Sequence, residues 1–376
     1  MERLKILFLS HTYIGGSFVV GSHHLSEQLA ARGHKVVHIA TPITLYHLIG
    51  KYNINQKKRI EIFKKGSVVS GVENIVPFTL FPWKISRNIY KLTGINLLQK
   101  TLTNKSKMFN EVYDILIIDQ PQFVGIEKKI KSKKIIYRAT DLYAVMKNDE
   151  ILTLAESDIS AKSDGIIGTS NPVVKHLKKF TNAPSLVLEN GVNIEHFTKR
   201  VNKPKEYINL EGAIATYVGA LDFRFDFLAL IKLSRSLPNL NFIIIGPISK
   251  EINEELHGIK NVFFLGERKF EEIPAYLQYS DLGLLLTNDH PSNNGRSPMK
   301  LYEYACSGLP VLLRETEELE KLSDDFLFFY KDNSNLVTSA INALNHNLEK
   351  KDIIESGTEK SWSIKTQILM DFIDEL

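Results

Sequence analysis

A single cysteine, Cys306, stands among 376 residues. An intrachain disulfide and a cysteine-rich metal site are both excluded by that count. Long apolar runs are missing too, since no stretch approaches the ~18 unbroken apolar residues of a membrane-spanning helix. The chain passes straight from Met1-Glu-Arg into the strand-like Leu4–Leu9, with no apolar leader or cleavage pattern. These absences predict a cytoplasmic protein, or one held peripherally on the inner face of the cell membrane. Charge of one sign is not in large excess: a net +4 argues against a general nucleic-acid binder. Gly16 and Gly21 have P-loop spacing, but Ser22-His23 stands where a lysine and a hydroxyl would meet phosphate and magnesium. Gly-x-Gly-x-x-Gly and Asp-x-Asp are absent, so neither a dinucleotide cofactor nor a bound cation is called for. His23 and His24, adjacent near a helix start, read as a capping or surface pair rather than as metal ligands.

What is present is an alternation of short apolar runs with helical patterns from end to end, the mark of parallel sheets covered by helices. In the first half the strand candidates are Leu4–Ser10, Lys35–Ala40, Ile115–Asp119, Lys134–Tyr137, Gly165–Gly168 and Leu186–Leu188. A second series runs through Ala213–Val218, Asn241–Ile245, Asn261–Leu265, Leu282–Leu286 and Pro310–Leu313. The length exceeds one ordinary core and suggests two domains, with the polar stretch 193–211 as linker. At the end, Ile364, Ile368, Leu369, Phe372, Ile373 and Leu376 recur at helical spacing. From Phe81 to Lys107, basic residues and aromatics interleave with no acidic residue: Trp83, Ile89, Tyr90, Leu97 and Leu98 among Lys84, Arg87, Lys91 and Lys100. That chemistry suits an anionic membrane surface, or equally a solvated face packed on the domain.

The most informative run is Arg296–Leu313. Ser297 before Pro298 signals a helix start, Leu301, Tyr304 and Ala305 mark its buried stripe, and Gly308 stops it. A helix N-terminus carrying Lys300 is a natural seat for a diphosphate, because unpaired N–H groups and the helix dipole favour an anion. Glu303, one turn on, faces the same side and suits ribose hydroxyls. An ordinary amphipathic helix capped by Ser297 is the plainer alternative.

This run resembles the nucleotide-sugar site of GT-B glycosyltransferases, in which a lysine and a ribose-binding glutamate open a helix that ends in Ala-x-x-Gly-x-Pro-Val. Glu189–Phe197 is similar to the Asn-Gly-Val segment with which such chains leave their first domain. Asn190-Gly191 is independently a turn signal, Gly191 being free to take positive φ. The stretch Gly219–Asp226 is similar to bacterial exopolysaccharide and teichuronic-type glycosyltransferases. The Gly-Ser-His-His run and Asp141 resemble the inverting glucuronosyltransferase family that builds xanthan side chains.

The resemblance implies an α/β fold of two facing Rossmann-like domains, with a final helix crossing back to the first. Residues 1–198 with 360–376 would bind the acceptor, and residues 199–359 the donor, a UDP-sugar that is substrate rather than cofactor. Donor contacts fall to Gly219, Asp222, Arg224, Glu267, Arg268, Ser297, Met299, Lys300 and Glu303. Asp222 and Arg224 read equally well as a mutual pair, and Asp226, Asp289 and His290 are weaker candidates for the same cleft. Acceptor contacts fall to Gly16, Ser17, Phe18 and His23, on the loop after the first strand. Asp141, just beyond a buried strand, is the expected general base, with a turn or cap aspartate as its structural alternative. Many retaining GT-B enzymes carry a glutamate where this chain has Gly295, which points to inversion. The expected reaction moves a sugar, with glucuronate the first to try, to a saccharide or polyprenyl-diphosphate-linked acceptor in exopolysaccharide or cell-wall glycan assembly. A retaining enzyme and a catalytically silent saccharide-binding protein are the alternatives.

Overall fold

A computed structural model describes residues 2–16, 18–48, 54–103, 107–248 and 258–376. The chain forms two compact units, one comprising residues up to Glu189 together with Lys365–Leu376, the other Asn190–Ile364.

The first unit is built on an eight-stranded sheet. Its strands are β1 (Lys5–Leu9), β2 (Lys35–Ile39), β3 (Ser67–Val69), β4 (Val72–Ile75), β5 (Val112–Ile118), β6 (Lys131–Ala139), β7 (Gly165–Gly168) and β8 (Ser185–Val187). The order is β3-β4-β2-β1-β5-β6-β7-β8, and every pairing is parallel except the β3–β4 hairpin. Central strands such as Ile6–Leu9 and Leu116–Ile118 are buried throughout, as parallel strands covered on both faces require. Strand order reverses at β1, which lies between β2 and β5. Crevices that receive ligands open at such switch points, beyond the strand C-termini. The β3–β4 hairpin was not anticipated. It turns at Ser70-Gly71, both at positive φ.

The final helix, Trp362–Glu375, belongs to the first unit from Lys365 onward. Leu369, Phe372 and Ile373 are buried, and Lys134 donates to the Ile373 carbonyl at 2.8 Å. A Cβ on Gly165 would lie 2.8 Å from Leu376, so β7 admits this helix only where a side chain is missing. Ile364 and Ile368, expected on the buried stripe, are exposed.

The second unit carries a six-stranded, wholly parallel sheet in the order β11-β10-β9-β12-β13-β14. Its strands are β9 (Ile214–Val218), β10 (Asn241–Ile245), β11 (Val262–Gly266), β12 (Leu282–Leu285), β13 (Val311–Arg314) and β14 (Leu327–Tyr330). Only β14 escaped the sequence reading. The stretch 193–211 is no bare linker: helix Ile194–Thr198 and the turn Lys205–Tyr207 bury Phe197 and Tyr207 in this unit's core. The order reverses between β9 and β12, and the loop after β9 together with the loop and helix after β12 hold most of the expected donor residues.

Among the described residues no helix is long and apolar enough to cross a membrane.

Candidate active site

In the second unit the central element is helix Met299–Cys306. Tyr304 fixes it from below, accepting from Val218 N at 3.0 Å and donating to the Leu284 carbonyl at 3.3 Å. Its ring fills the space where Gly283 lacks a side chain; a Cβ there would come within 2.6 Å. Gly308, at φ +75°, ends the helix as expected.

The start of the helix differs from expectation in a way that matters. Pro298 occupies the N-cap and no side chain caps the first turn. Ser297 is turned elsewhere: its Oγ accepts from Asn190 N at 3.1 Å, and Asn190 Nδ2 donates to its carbonyl at 2.7 Å. The helix dipole and the opening amides of Met299 and Lys300 are left without a side-chain acceptor, the condition for holding an anion. Asn190 is itself held by its neighbours, because Val192 N donates to the Lys360 carbonyl at 2.9 Å and Trp362 N donates to the Val192 carbonyl at 3.1 Å. Gly191 does not adopt positive φ. Glycine is required there by proximity, since a Cβ would lie 2.8 Å from the Lys360 carbonyl.

Lys300 Nζ and Glu303 Oε2 pair at 2.8 Å, with the glutamate side chain 5% exposed and the lysine 27%. The Glu303 charge also acts on His196, whose ring stacks on Phe270 at 4.2 Å and whose pKa is lowered chiefly by burial. His196 lies in the Glu189–Phe197 segment, which sequence reasoning had valued only as a boundary.

At the end of β9, Gly219 and Gly246 let two backbones close up. A Cβ on Gly246, at φ +147°, would sit 1.8 Å from the Gly219 carbonyl. Asp222 and Arg224 pair with each other at 2.7 Å, and Arg224 N also donates to Asp222 Oδ1. Asp226 caps helix Phe227–Ser236 through Ala229 N at 2.9 Å. Arg296, not singled out from sequence, exerts its charge on both Asp222 and Tyr217. Arg268 is committed within the unit, to Tyr276 Oη at 3.0 Å and Glu206 Oε1 at 3.2 Å. Glu267 beside it is exposed. His290 bonds Ser292 Oγ at 2.8 Å, closing its own turn.

In the first unit, Asp141 is half-buried, following β6 and Thr140. The helix beyond it, Tyr143–Lys147, has Leu142 at its N-cap and no side-chain cap, so Asp141 does not serve as one. Its turn is pinned by Tyr143, which donates to the Asp119 carbonyl at 2.7 Å and receives Gln120 Nε2 at 2.9 Å. Thr140 bonds the same hydroxyl at 2.7 Å. Below, Asp119 and Arg138 form a buried pair at 2.8 Å, and burial pushes the Asp119 carboxyl up to about 6 despite the guanidinium.

The expected acceptor loop is only partly as foreseen. Gly16 rests on the Tyr13 ring, and Phe18 is exposed with its edge towards His11. Ser17 lies outside the described residues. His23 and His24 are buried, not a surface pair. His23 and His38 both donate from Nε2 to the Thr12 carbonyl, at 3.1 and 3.0 Å, and so tie down the loop's base. Burial holds both rings neutral, with pKa values lowered to about 4 and about 3. Among the described residues no group of three His, Cys, Asp or Glu side chains gathers as a metal set.

Residues 8–168 match the family model described as the N-terminal domain of the glucuronosyltransferase GumK. Residues 227–366 match a family described as glycosyl transferase-like. A putative teichuronic acid biosynthesis glycosyltransferase, TuaH of Bacillus subtilis, is 25% identical over 228 residues, 56% of this chain. The match spans 57% of that relative's length. Over the whole chain the fold is similar to Anabaena Alr3699/HepE, solved in complex with UDP and glucose, at a TM-score of 0.67 and 14% identity, covering 100% of both chains. It is similar also to a Thermosynechococcus elongatus sucrose-phosphate synthase, at a TM-score of 0.66 and 14% identity, covering 99% of both. Both units therefore match glycosyltransferase family domains in sequence, and the chain has the GT-B glycosyltransferase fold.

Proposed function

We propose that this protein transfers a sugar from a UDP-sugar to the hydroxyl of a saccharide acceptor, with inversion at the anomeric carbon. The observation that carries the reading is the uncapped N-terminus of helix Met299–Cys306, with Lys300 and Glu303 on its first turns. In this reading the diphosphate takes the amides of Met299 and Lys300 and draws the Lys300 ammonium off Glu303. The released carboxylate then accepts the ribose hydroxyls. UDP is the nucleotide of choice because structural relatives of this fold are solved with it.

The acceptor hydroxyl attacks the anomeric carbon as its proton passes to Asp141. The new carbon–oxygen bond forms while the bond to the β-phosphate breaks, and UDP leaves with the electron pair. Negative charge grows on the leaving group during this step. Lys300 and the helix amides therefore stabilise the transition state more than the bound donor, which is what lowers a barrier. A gross lysine–phosphate attraction of ~4 kcal/mol at 4 Å and an effective dielectric near 20 sets the scale before desolvation. A positioned base such as Asp141 is worth ~10²–10⁴ in rate. Gly295 supports inversion, since no carboxylate arises at that position. Glucuronate is the first donor to test, because the first unit matches a glucuronosyltransferase domain.

We assign the acceptor to a lipid-linked intermediate of exopolysaccharide or cell-wall glycan assembly, reached from an anionic membrane surface. The surface responsible is narrower than the sequence suggested. Of the expected apolar residues, Tyr90 and Leu98 are buried, and Trp83, Ile89 and Leu97 half-buried. Leu80, Phe81, Ile85, Leu92 and Ile95 are the exposed ones, beside exposed Lys84 and Lys91.

The test is Asp141→Asn. Transfer from radiolabelled donor should fall at least a hundredfold, at the lower bound for a positioned base, while the Kd for UDP stays within about twofold of wild type. Near-normal turnover would remove Asp141 from this role.

A further inference from the structure

Three basic side chains lie at the C-terminal edge of the first unit's sheet, and the transfer scheme uses none of them. His11 follows β1, Arg59 reaches over from helix Ile54–Lys65, and Lys147 closes the helix after β6. Arg59 is anchored rather than splayed into solvent. Its Nη2 donates to the Thr41 carbonyl and, at 3.1 Å, to Thr41 Oγ1. Thr41 in turn donates to the His11 carbonyl at 2.8 Å, and Tyr13 holds Asn55 of the same helix at 3.0 Å. Arg59 Nε is buried and has no hydrogen-bond partner.

Burial lowers the His11 pKa most, and the like-signed charges of Lys147 and Arg59 lower it further, so the imidazole rests neutral beside them. The Arg59 guanidinium is itself desolvated, with Tyr13, His11 and His47 as neighbouring ionisable groups. Among the described residues no carboxylate pairs with any of the three. A desolvated guanidinium, with an ammonium of like sign nearby and no counter-ion supplied by the fold, is unfavourable by itself. The arrangement becomes favourable when an anion arrives. An arginine fork flanked by an ammonium and by an imidazole that an arriving anion would protonate suits a phosphoryl group, whose several oxygens and extra charge outmatch a single carboxylate.

We propose that His11, Arg59 and Lys147 form a phosphoryl-binding site that receives the anionic headgroup of the acceptor. The assignment to the acceptor rests on the transferase reading above, because the cluster shares its sheet edge with Asp141. The anion site itself stands without that reading.

The experiment uses the full chain with isotope-labelled histidines, the His11 resonance being assigned through His11→Gln. Inorganic pyrophosphate is titrated in one arm and phosphatidylglycerol vesicles in another. The site predicts a saturable shift of the His11 signal with pyrophosphate. Arg59→Met should weaken it about tenfold, and Lys147→Gln, at an exposed position, about threefold. A His11 signal unmoved by millimolar pyrophosphate overturns the proposal, as does unchanged affinity in the Lys147→Gln protein. A response to vesicles alone overturns it in favour of a lipid surface. Titrating UDP into the same sample separates the two readings. UDP binding with a silent His11 sinks this site only, whereas a responsive His11 without UDP binding upholds the site and sinks the transferase assignment.

Discussion

Asn190 Nδ2 donates to the Ser297 carbonyl at 2.7 Å, joining two segments that lie 107 positions apart in sequence. Through that bond the residue that opens the second unit sets the entry to helix Met299–Cys306, and it keeps the Ser297 hydroxyl away from the helix amides. Asn190→Ala removes one hydrogen bond, typically worth about 1 kcal/mol. UDP affinity should fall about fivefold in calorimetry, with the anion seat less well aligned. Unfolding by urea should shift by a comparable free energy. Unchanged UDP affinity would show that the entry is set by something else.

The paired bonds of His23 and His38 to Thr12 make an acid-sensitive joint. Both rings have folded pKa values depressed by burial, to about 4 and about 3, below an unfolded value near 6.5. The unfolded chain therefore binds protons that the native state refuses. The stability they contribute is fully present above pH ~6.5 and is lost as pH falls towards the folded values. Urea midpoints measured from pH 7 to pH 4.5 should decline, and His38→Gln should flatten the slope by about one proton. A slope that His38→Gln leaves unaltered would contradict the burial of a neutral ring.

Ile85 and Leu92 are 53% and 84% exposed on helix Trp83–Thr93, each directly after a lysine. Each is worth up to ~1.5–3 kcal/mol if buried in a bilayer surface, and each neighbouring lysine ~1 kcal/mol near anionic lipid. Ile85→Glu with Leu92→Glu should abolish flotation with phosphatidylglycerol vesicles at low salt. UDP binding should be unaffected, because neither side chain supports the core. Flotation equal to wild type would remove this face from membrane contact.

Sequence made helix Met299–Cys306 legible because its signals are local. Lysine, glutamate, buried stripe and stop glycine fall within a few helical turns, and the helix forms where its spacing placed it. The strand series was legible for the same reason, except for the hairpin at Ser70-Gly71 and the edge strand Leu327–Tyr330. Features built from distant residues were not legible. Ser297 looked like a cap because its true partner, Asn190, is remote. Gly191 looked like a positive-φ turn, whereas the requirement comes from the Lys360 carbonyl. His23 looked like a surface residue, and only the shared Thr12 carbonyl reveals why it is buried beside His38. Nothing in the order of residues brings Arg59 and Lys147 to His11.

Calorimetric titration of UDP into wild-type protein and Lys300→Ala tests the central claim most directly. A lysine seated on the diphosphate predicts saturable binding by wild type and at least a tenfold loss in the variant, about 1.4 kcal/mol. No binding of UDP by the wild-type protein, or equal binding by both, would contradict it.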